Sequence, residues 1–419
     1  MSTFTFDRKL ARGIQRITSS ALGPYQTAVI RIGFSATYLL FLLRELPHRH
    51  EMYGPDAPWN WDMAHQLISG NQAFSVLMWS DSTVWFEVVY AIALLSAALL
   101  MVGWHTRAMS VLFMVGVLSL QNRSIFMGDG GDNVIHLMAI YLVLTRCGQV
   151  WSLDARRAAR AARAVRVADA EGDGPRRSVR RGVAGQVLWV VLGMVLTVAT
   201  VTDGLGGTWW LPVLFWILWG GQGAWWAVNR YAPHSEARTL LDVVANLAHN
   251  ATLVLIMAEV CLIYSTAGWY KIQGSRWQDG TALYYPLKLD SFTPWPGLSD
   301  ILASSGVMVM LLTYGTVIVQ VAFPFTLFNR RVKNVLLVAM MCEHAGIALL
   351  LGLPFFSMAM IAADSVFLPT VFLVWLGGRV TLGRELLFSR KGKVPGQRRA
   401  VDDEEAPQRS DDEGHTLVG

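Results

Sequence analysis

The chain has 419 residues, 53% of them hydrophobic and only 16% charged, with a formal net charge of +5. Soluble domains carry roughly 25% charged residues, so this deficit excludes a surface that faces water all round. The basic residues cluster at 8–16, 156–181, 330–333 and 379–399, between apolar runs, a placement that fits membrane topology signals and argues against a nucleic-acid-binding face.

A helix needs about 20 apolar residues to cross the hydrocarbon core. Taken in chain order, runs of that kind predict spans near 25–46, 85–104, 107–123, 132–149, 186–203, 208–227, 240–266, 306–327, 335–352 and 356–377. Backbone groups in lipid must be satisfied within their own segment, so these are read as helices. Residues 1–24 are polar and basic. The apolar run from Tyr25 is too long for a signal-peptide core and reads as the first span. Around Gly204–Gly207 two spans or one re-entrant hairpin both fit.

The positive-inside rule orients the spans. Arg8, Lys9, Arg12 and Arg16 precede the first span, His105 and Arg107 follow the second, and the run from Arg156 to Arg181 follows the fourth. Arg230 and Arg238, then Arg330, Arg331 and Lys333, continue the alternation. The fold class expected is therefore all-α: a polytopic transmembrane helical bundle of about ten spans, both ends cytoplasmic, in the cell (inner) membrane. Its parts are a basic N-terminus at 1–24, a membrane domain at 25–380 with a basic linker at 152–184, and a disordered tail at 381–419. Within the linker, 155–168 fits a basic helix on anionic headgroups.

Polar residues inside spans are costly and therefore informative. Asp132 and His136 are four apart at the outer end of the fourth span and share a face. The aspartate either orients the histidine or, with Asn133, caps the helix start. In the seventh span Asn246 and Asn250 fit interhelical hydrogen bonds, and Glu259 is a candidate partner for Arg31. Lys271 follows the seventh span between Trp269, Tyr270 and Ile272. There it either snorkels to the interface or, losing hydration, serves as a general base. Glu343 and His344 lie mid-span in the ninth; His344 reads as a proton relay, a donor to a bound ring or a satisfied core histidine. The three cysteines, Cys147, Cys261 and Cys342, form no CxxC pair, and no metal or nucleotide motif occurs.

Three stretches carry a family resemblance: STAGWYKIQGSRWQDGTALYY at 265–285, CEHAGIALLLGLPFFSMAMIA at 342–362, and RIGFSATYLL at 31–40 with GDGGDN at 128–133. Together the chain resembles the HTTM domain, the membrane domain shared with vitamin K-dependent gamma-carboxylase, over about residues 20–380. In that enzyme a lysine of the Ala-Gly segment deprotonates vitamin K hydroquinone, and oxygen then adds. The strong base so formed removes a glutamate gamma-proton, and the carbanion captures carbon dioxide. The resemblance implies Lys271 as the base, with His344 and His136 as further catalytic candidates. Asp132, Asn133, Trp277 and Phe356 are the residues expected to hold a reduced quinone of vitamin K or menaquinone type.

Departures are visible. A large lumenal domain is expected to be missing, and Tyr270 stands where the enzyme has lysine. An outward-facing pocket that admits a quinol is what the resemblance then implies. Two other functions stay open. Some HTTM proteins resemble the membrane partner that matures a sporulation-delaying peptide toxin, which would make a small secreted peptide or protein the partner. The third reading is a transporter or scaffold.

Overall fold

We describe a computed structural model of the chain, covering residues 2–170, 183–202, 204–205 and 209–390. Linker residues 171–182 and the tail from 391 lie outside the described residues.

The order is α1 (Ser2–Ser19), α2 (Pro24–Glu45), the short α3 (Arg49–Tyr53) and α4 (Trp61–Asn71), then α5 (Thr83–Val102), α6 (Thr106–Arg123), α7 (Gly130–Leu144) and α8 (Leu153–Ala170). There follow α9 (Ala184–Val201), α10 (Trp210–Tyr231) and α11 (Glu236–Gln273). The short α12 (Ser275–Gln278), α13 (Tyr284–Leu287) and α14 (Pro296–Ser304) lead to α15 (Gly306–Ala322), α16 (Arg330–Leu350), α17 (Pro354–Asp364) and α18 (Thr370–Arg390). No strand occurs among the described residues.

Every predicted span falls on a helix, but not every helix is long and apolar enough to cross a membrane. Six segments are: Pro24–Tyr53, Thr83–Val102, Ala184–Val201, Glu236–Gln273, Gly306–Thr326 and Arg330–Leu350. A seventh is added if Pro354–Phe367 and Thr370–Gly383 count together. Residue-level reasons separate the others. The run predicted at 132–149 stops at Leu144, leaving 15 helical residues, about 22 Å against a hydrocarbon core of about 30 Å. The segment predicted at 356–377 is broken between Asp364 and Thr370, where Pro369 lacks an N–H and disfavours helix at Leu368. The apolar sides of the long helices point outward, for example Leu95 of α5, Val198 of α9 and Leu262 of α11. Such faces belong in lipid rather than in water. The architecture is that of an all-helical, membrane-associated protein.

Contacts divide the chain into two compact units, Met1–Leu373 and Val374–Gly419. Of the second, the described part is the continuation of α18. In the first, α2 is the axis, packed by α5 and α17 through Ile30, Phe34, Tyr38 and Leu42. Its Arg31 is fully buried. Its guanidinium donates to the carbonyls of Leu100 at 2.5 Å, Met101 at 2.7 Å, Trp151 at 2.8 Å and Cys147 at 3.2 Å. Carbonyls at the end of a helix carry partial negative charge and have acceptor capacity to spare, so Leu100, whose carbonyl also accepts from the Gly103 N–H, and Met101 hold the cation. Arg31 is thus taken up by helix ends rather than by Glu259, correcting the pairing suggested from sequence.

Across α9 and α10, Trp189 and Trp219 stack at 4.2 Å. Each indole N–H donates to the other residue's carbonyl, at 3.0 and 2.9 Å. Gly193 and Gly223 leave room for the rings. The segment 186–227 is therefore a pair of packed helices.

The basic turns are bonded to one another. Asp154 of α8 accepts from the backbone N–H of His105 and Thr106. Arg107 donates to Gln222. Arg146 bonds Asn246 and pairs with Asp242 of α11. Lys333 donates to the Phe367 carbonyl at 2.5 Å, and Gln26 to that of Leu368 at 2.8 Å.

Candidate functional site

α11 is 38 residues long, about 57 Å of helix. Tyr264, Gly268 and Lys271 lie at i, i+4 and i+7, on one face near its C-terminal end. Gly268 sets the approach of α15: a Cβ there would stand 2.5 Å from Val321 Cγ2, so only glycine lets the helices close. Next to Val321 is buried Gln320, and it takes the amine. Lys271 Nζ donates to Gln320 Oε1 at 2.6 Å, and Gln320 Nε2 donates to Glu343 Oε1 of α16 at 2.5 Å. A carboxamide thus stands between cation and carboxylate. The amine also lies 5.3 Å from the Trp277 ring centroid, within cation–π range.

His344, the residue after Glu343, points elsewhere. It is 2% exposed, with Nε2 at 2.9 Å from the Tyr264 hydroxyl. That hydroxyl donates to Asp364 Oδ2 of α17 at 3.0 Å. The tautomer of His344 follows the proton on this triad: a tyrosine that donates to Asp364 leaves Nε2 to carry hydrogen, whereas a protonated Asp364 lets the hydroxyl donate to Nε2 and Nδ1 carry the hydrogen. His344 Nδ1 and Asp364 Oδ1 are buried and without a partner. Six other buried side-chain atoms among the described residues, the Tyr38 hydroxyl and Ser357 Oγ among them, are likewise without a partner; His344 and Asp364 differ in being ionisable and in sharing one hydroxyl. Phe356 lies 5.5 Å from the His344 ring.

Phe356 also lines a cleft of about 140 Å³ between α2, α7 and the start of α17. Its walls include Phe41, Arg44, Asp129, Asp132 and Phe355. Arg44 sits over the Phe355 ring at 4.5 Å. Asp132 is half-buried, and its carboxylate accepts from the Asp129 N–H at 2.8 Å in a reciprocal capping box. Its bond to the neighbouring histidine is indirect. Gln121 donates to the Asp132 carbonyl at 3.0 Å and offers its own oxygen to His136 Nδ1 at 3.1 Å. The direct Asp132–His136 pairing expected from spacing is replaced by helix capping with an amide bridge. Asn133 is exposed and outside the cleft wall.

Of the seven residues expected from sequence, six form two groups and Asn133 belongs to neither. Lys271 and Trp277 stand together; Asp132 and Phe356 line the cleft, with His136 behind Gln121. His344 joins them through Phe356, and Lys271 does not line that cleft. Reading the sequence missed Tyr264, Gln320 and Asp364. The available signal was a polar side chain within a predicted span at Gln320 and Asp364, and a two-turn offset from Lys271 at Tyr264. Among the described residues no group of three or more His, Cys, Asp or Glu side chains is arranged to hold a metal.

Comparison with protein-family models, curated proteins and solved structures finds no match to this chain.

Proposed function

We propose that the chain is an HTTM-type integral membrane protein of the cell membrane and a quinol-dependent, gamma-carboxylase-like enzyme, with Lys271 as the base. The observation that carries this reading is the polar chain Lys271–Gln320–Glu343 beside Asp364–Tyr264–His344. Ionisable groups at membrane depth are expensive and kept for function. A direct ion pair would lock the amine as ammonium; with Gln320 interposed, Glu343 attracts it across a greater distance and more weakly. The amine is then freer to lose its proton and accept one from a hydroxyl.

The donor set suits a hydroxylated aromatic ring. His344 Nδ1 is a buried polar atom without a partner, able to accept from or donate to a ring oxygen according to its tautomer, and Phe356 connects it to an aromatic-walled cleft. A reduced quinone bound there would supply the redox chemistry with oxygen. The protein's own part is to accept a hydroxyl proton at Lys271, to hold a hydroxyl at His344 and to exclude water with Phe41, Phe355 and Phe356.

Ten crossings with both ends inside is the topology we propose. It is supported by the basic turns bonded together around Asn246, Asp242 and Asp154. From Asn246 to Lys271 is about 37 Å of helix, more than the hydrocarbon thickness of about 30 Å. If the basic end is cytoplasmic, Lys271 lies at the far boundary, among exposed Trp269 and Tyr270.

The test is the purified chain in lipid with reduced menaquinone, oxygen, labelled bicarbonate and a glutamyl peptide. Epoxide or carboxylated peptide should form, and Lys271→Ala should lower the rate by about 100-fold or more. No product from the wild type, or equal rates from the variant, would refute the proposal.

A further inference from the structure

We infer that α1 is an in-plane anchor that reads anionic lipid headgroups. This rests on the chain's being a membrane protein but on none of the proposed chemistry. α1 does not fit a span: within its 18 residues it carries Arg8, Lys9, Arg12 and Arg16. At 100° per residue those four gather on one side. Leu10, Ile14 and Ile17 gather on the other, 52%, 51% and 37% exposed. The four basic residues are exposed as well. An apolar stripe opposite a Lys/Arg face, at low net hydrophobicity, is the composition of helices that lie at the headgroup–acyl boundary.

Its fastening makes this more than a pattern. The C-terminal end of α1 is clamped onto α11. Asn250 Nδ2 donates to the carbonyls of Ile17 at 2.9 Å and Ser20 at 3.0 Å, and Asn246 Nδ2 to that of Thr18 at 2.9 Å. The Leu22 N–H donates back to Asn250 at 2.8 Å, and His249 Nε2 meets the Leu22 carbonyl at 2.8 Å. Gly23, at φ 59°, then turns the chain into α2, a conformation other residues adopt only at a cost. α1 is thereby fixed at the end of the bundle where Arg107, Arg146 and the arginines of α8 also lie. The basic face selects the occupant: anionic lipid rather than neutral lipid or a second copy of the chain.

The test uses the full-length chain, with Cys342→Ser removing the exposed cysteine, reconstituted in bilayers with and without phosphatidylglycerol. Spin labels are placed one at a time from Arg8 to Ile17, and one at Leu95 of α5. Labels at Leu10, Ile14 and Ile17 should be open to oxygen and hidden from a water-soluble nickel reagent. Labels at Arg12 and Gln15 should show the reverse, and the contrast should grow with phosphatidylglycerol. Reversing the charge at all four basic positions should abolish that growth. Labels on α1 all in water, with Leu95 in acyl chains, would overturn this inference alone; Leu95 in water as well would overturn the membrane reading with it. Dipolar broadening between copies, or no response to anionic lipid, would also overturn it.

Discussion

Tyr264 is the hinge of the buried network, because one hydroxyl serves both His344 and Asp364. Replacing it with phenylalanine keeps the ring against Phe323 but leaves a histidine nitrogen and a carboxylate oxygen without partners. Unsatisfied buried groups cost about 1–3 kcal/mol. Tyr264→Phe should therefore lower the melting temperature of the detergent-solubilised protein clearly, more than substitution of exposed Tyr270 by phenylalanine. Equal melting temperatures would show that the hydroxyl is not holding the two groups. These partners were only partly legible in the sequence. His344, Glu343 and Lys271 announce themselves as ionisable groups in or beside apolar runs. That Gln320 falls between Lys271 and Glu343 depends on how α15 is rotated against α11 and α16, which no local pattern encodes. Asp132 shows the opposite case: spacing suggested a partner for His136, yet the free N–H groups of the helix start claimed its carboxylate first.

Helices α11 and α15 meet where Gly268 faces Val321, and this contact decides whether Lys271 reaches Gln320. Gly268→Val should push the helices apart and lose activity in the quinol assay, with the lysine itself intact. A variant as active as wild type would separate the Lys271–Gln320 bond from function. Arg31 does the corresponding service for α5. Arg31→Met removes a donor from four carbonyls, of which Leu100 keeps the Gly103 N–H; loss of a buried partner of this kind costs about 1–3 kcal/mol per group stranded. We expect strong destabilisation in a thermal scan, and one no greater than that from exposed Arg12→Met would contradict the capping role. At this level the sequence was most readable. Every apolar run lies on a helix because a hydrophobic stretch of that length has no other stable form in lipid. The errors came where one residue overrules composition, as Pro369 does in breaking the run at 356–377. Charge alone also marked residues 1–24 as a basic N-terminus and hid the helical order of α1.

Taken whole, the molecule gathers its basic turns at one end of the helices and carries Lys271 toward the other. The positive clusters marked that end in the sequence, and short-loop Lys and Arg are the basis on which we propose that it is cytoplasmic. Of the ten spans expected from sequence, those on α6, α7 and α10 are not among the six helices, or seven segments with the bent pair, that are long and apolar enough to cross a membrane. The claim on which the rest depends is that the end of α11 bearing Lys271 opens away from the cytosol. Ser275, just beyond that end, is exposed. A cysteine placed there by Ser275→Cys, in the Cys342→Ser background, can be labelled in intact cells with a membrane-impermeant maleimide. Our account predicts labelling from outside without permeabilisation, while Arg157→Cys in α8 reacts only after the cells are opened. Labelling of position 275 only in opened cells would put Lys271 on the cytoplasmic side and contradict the account.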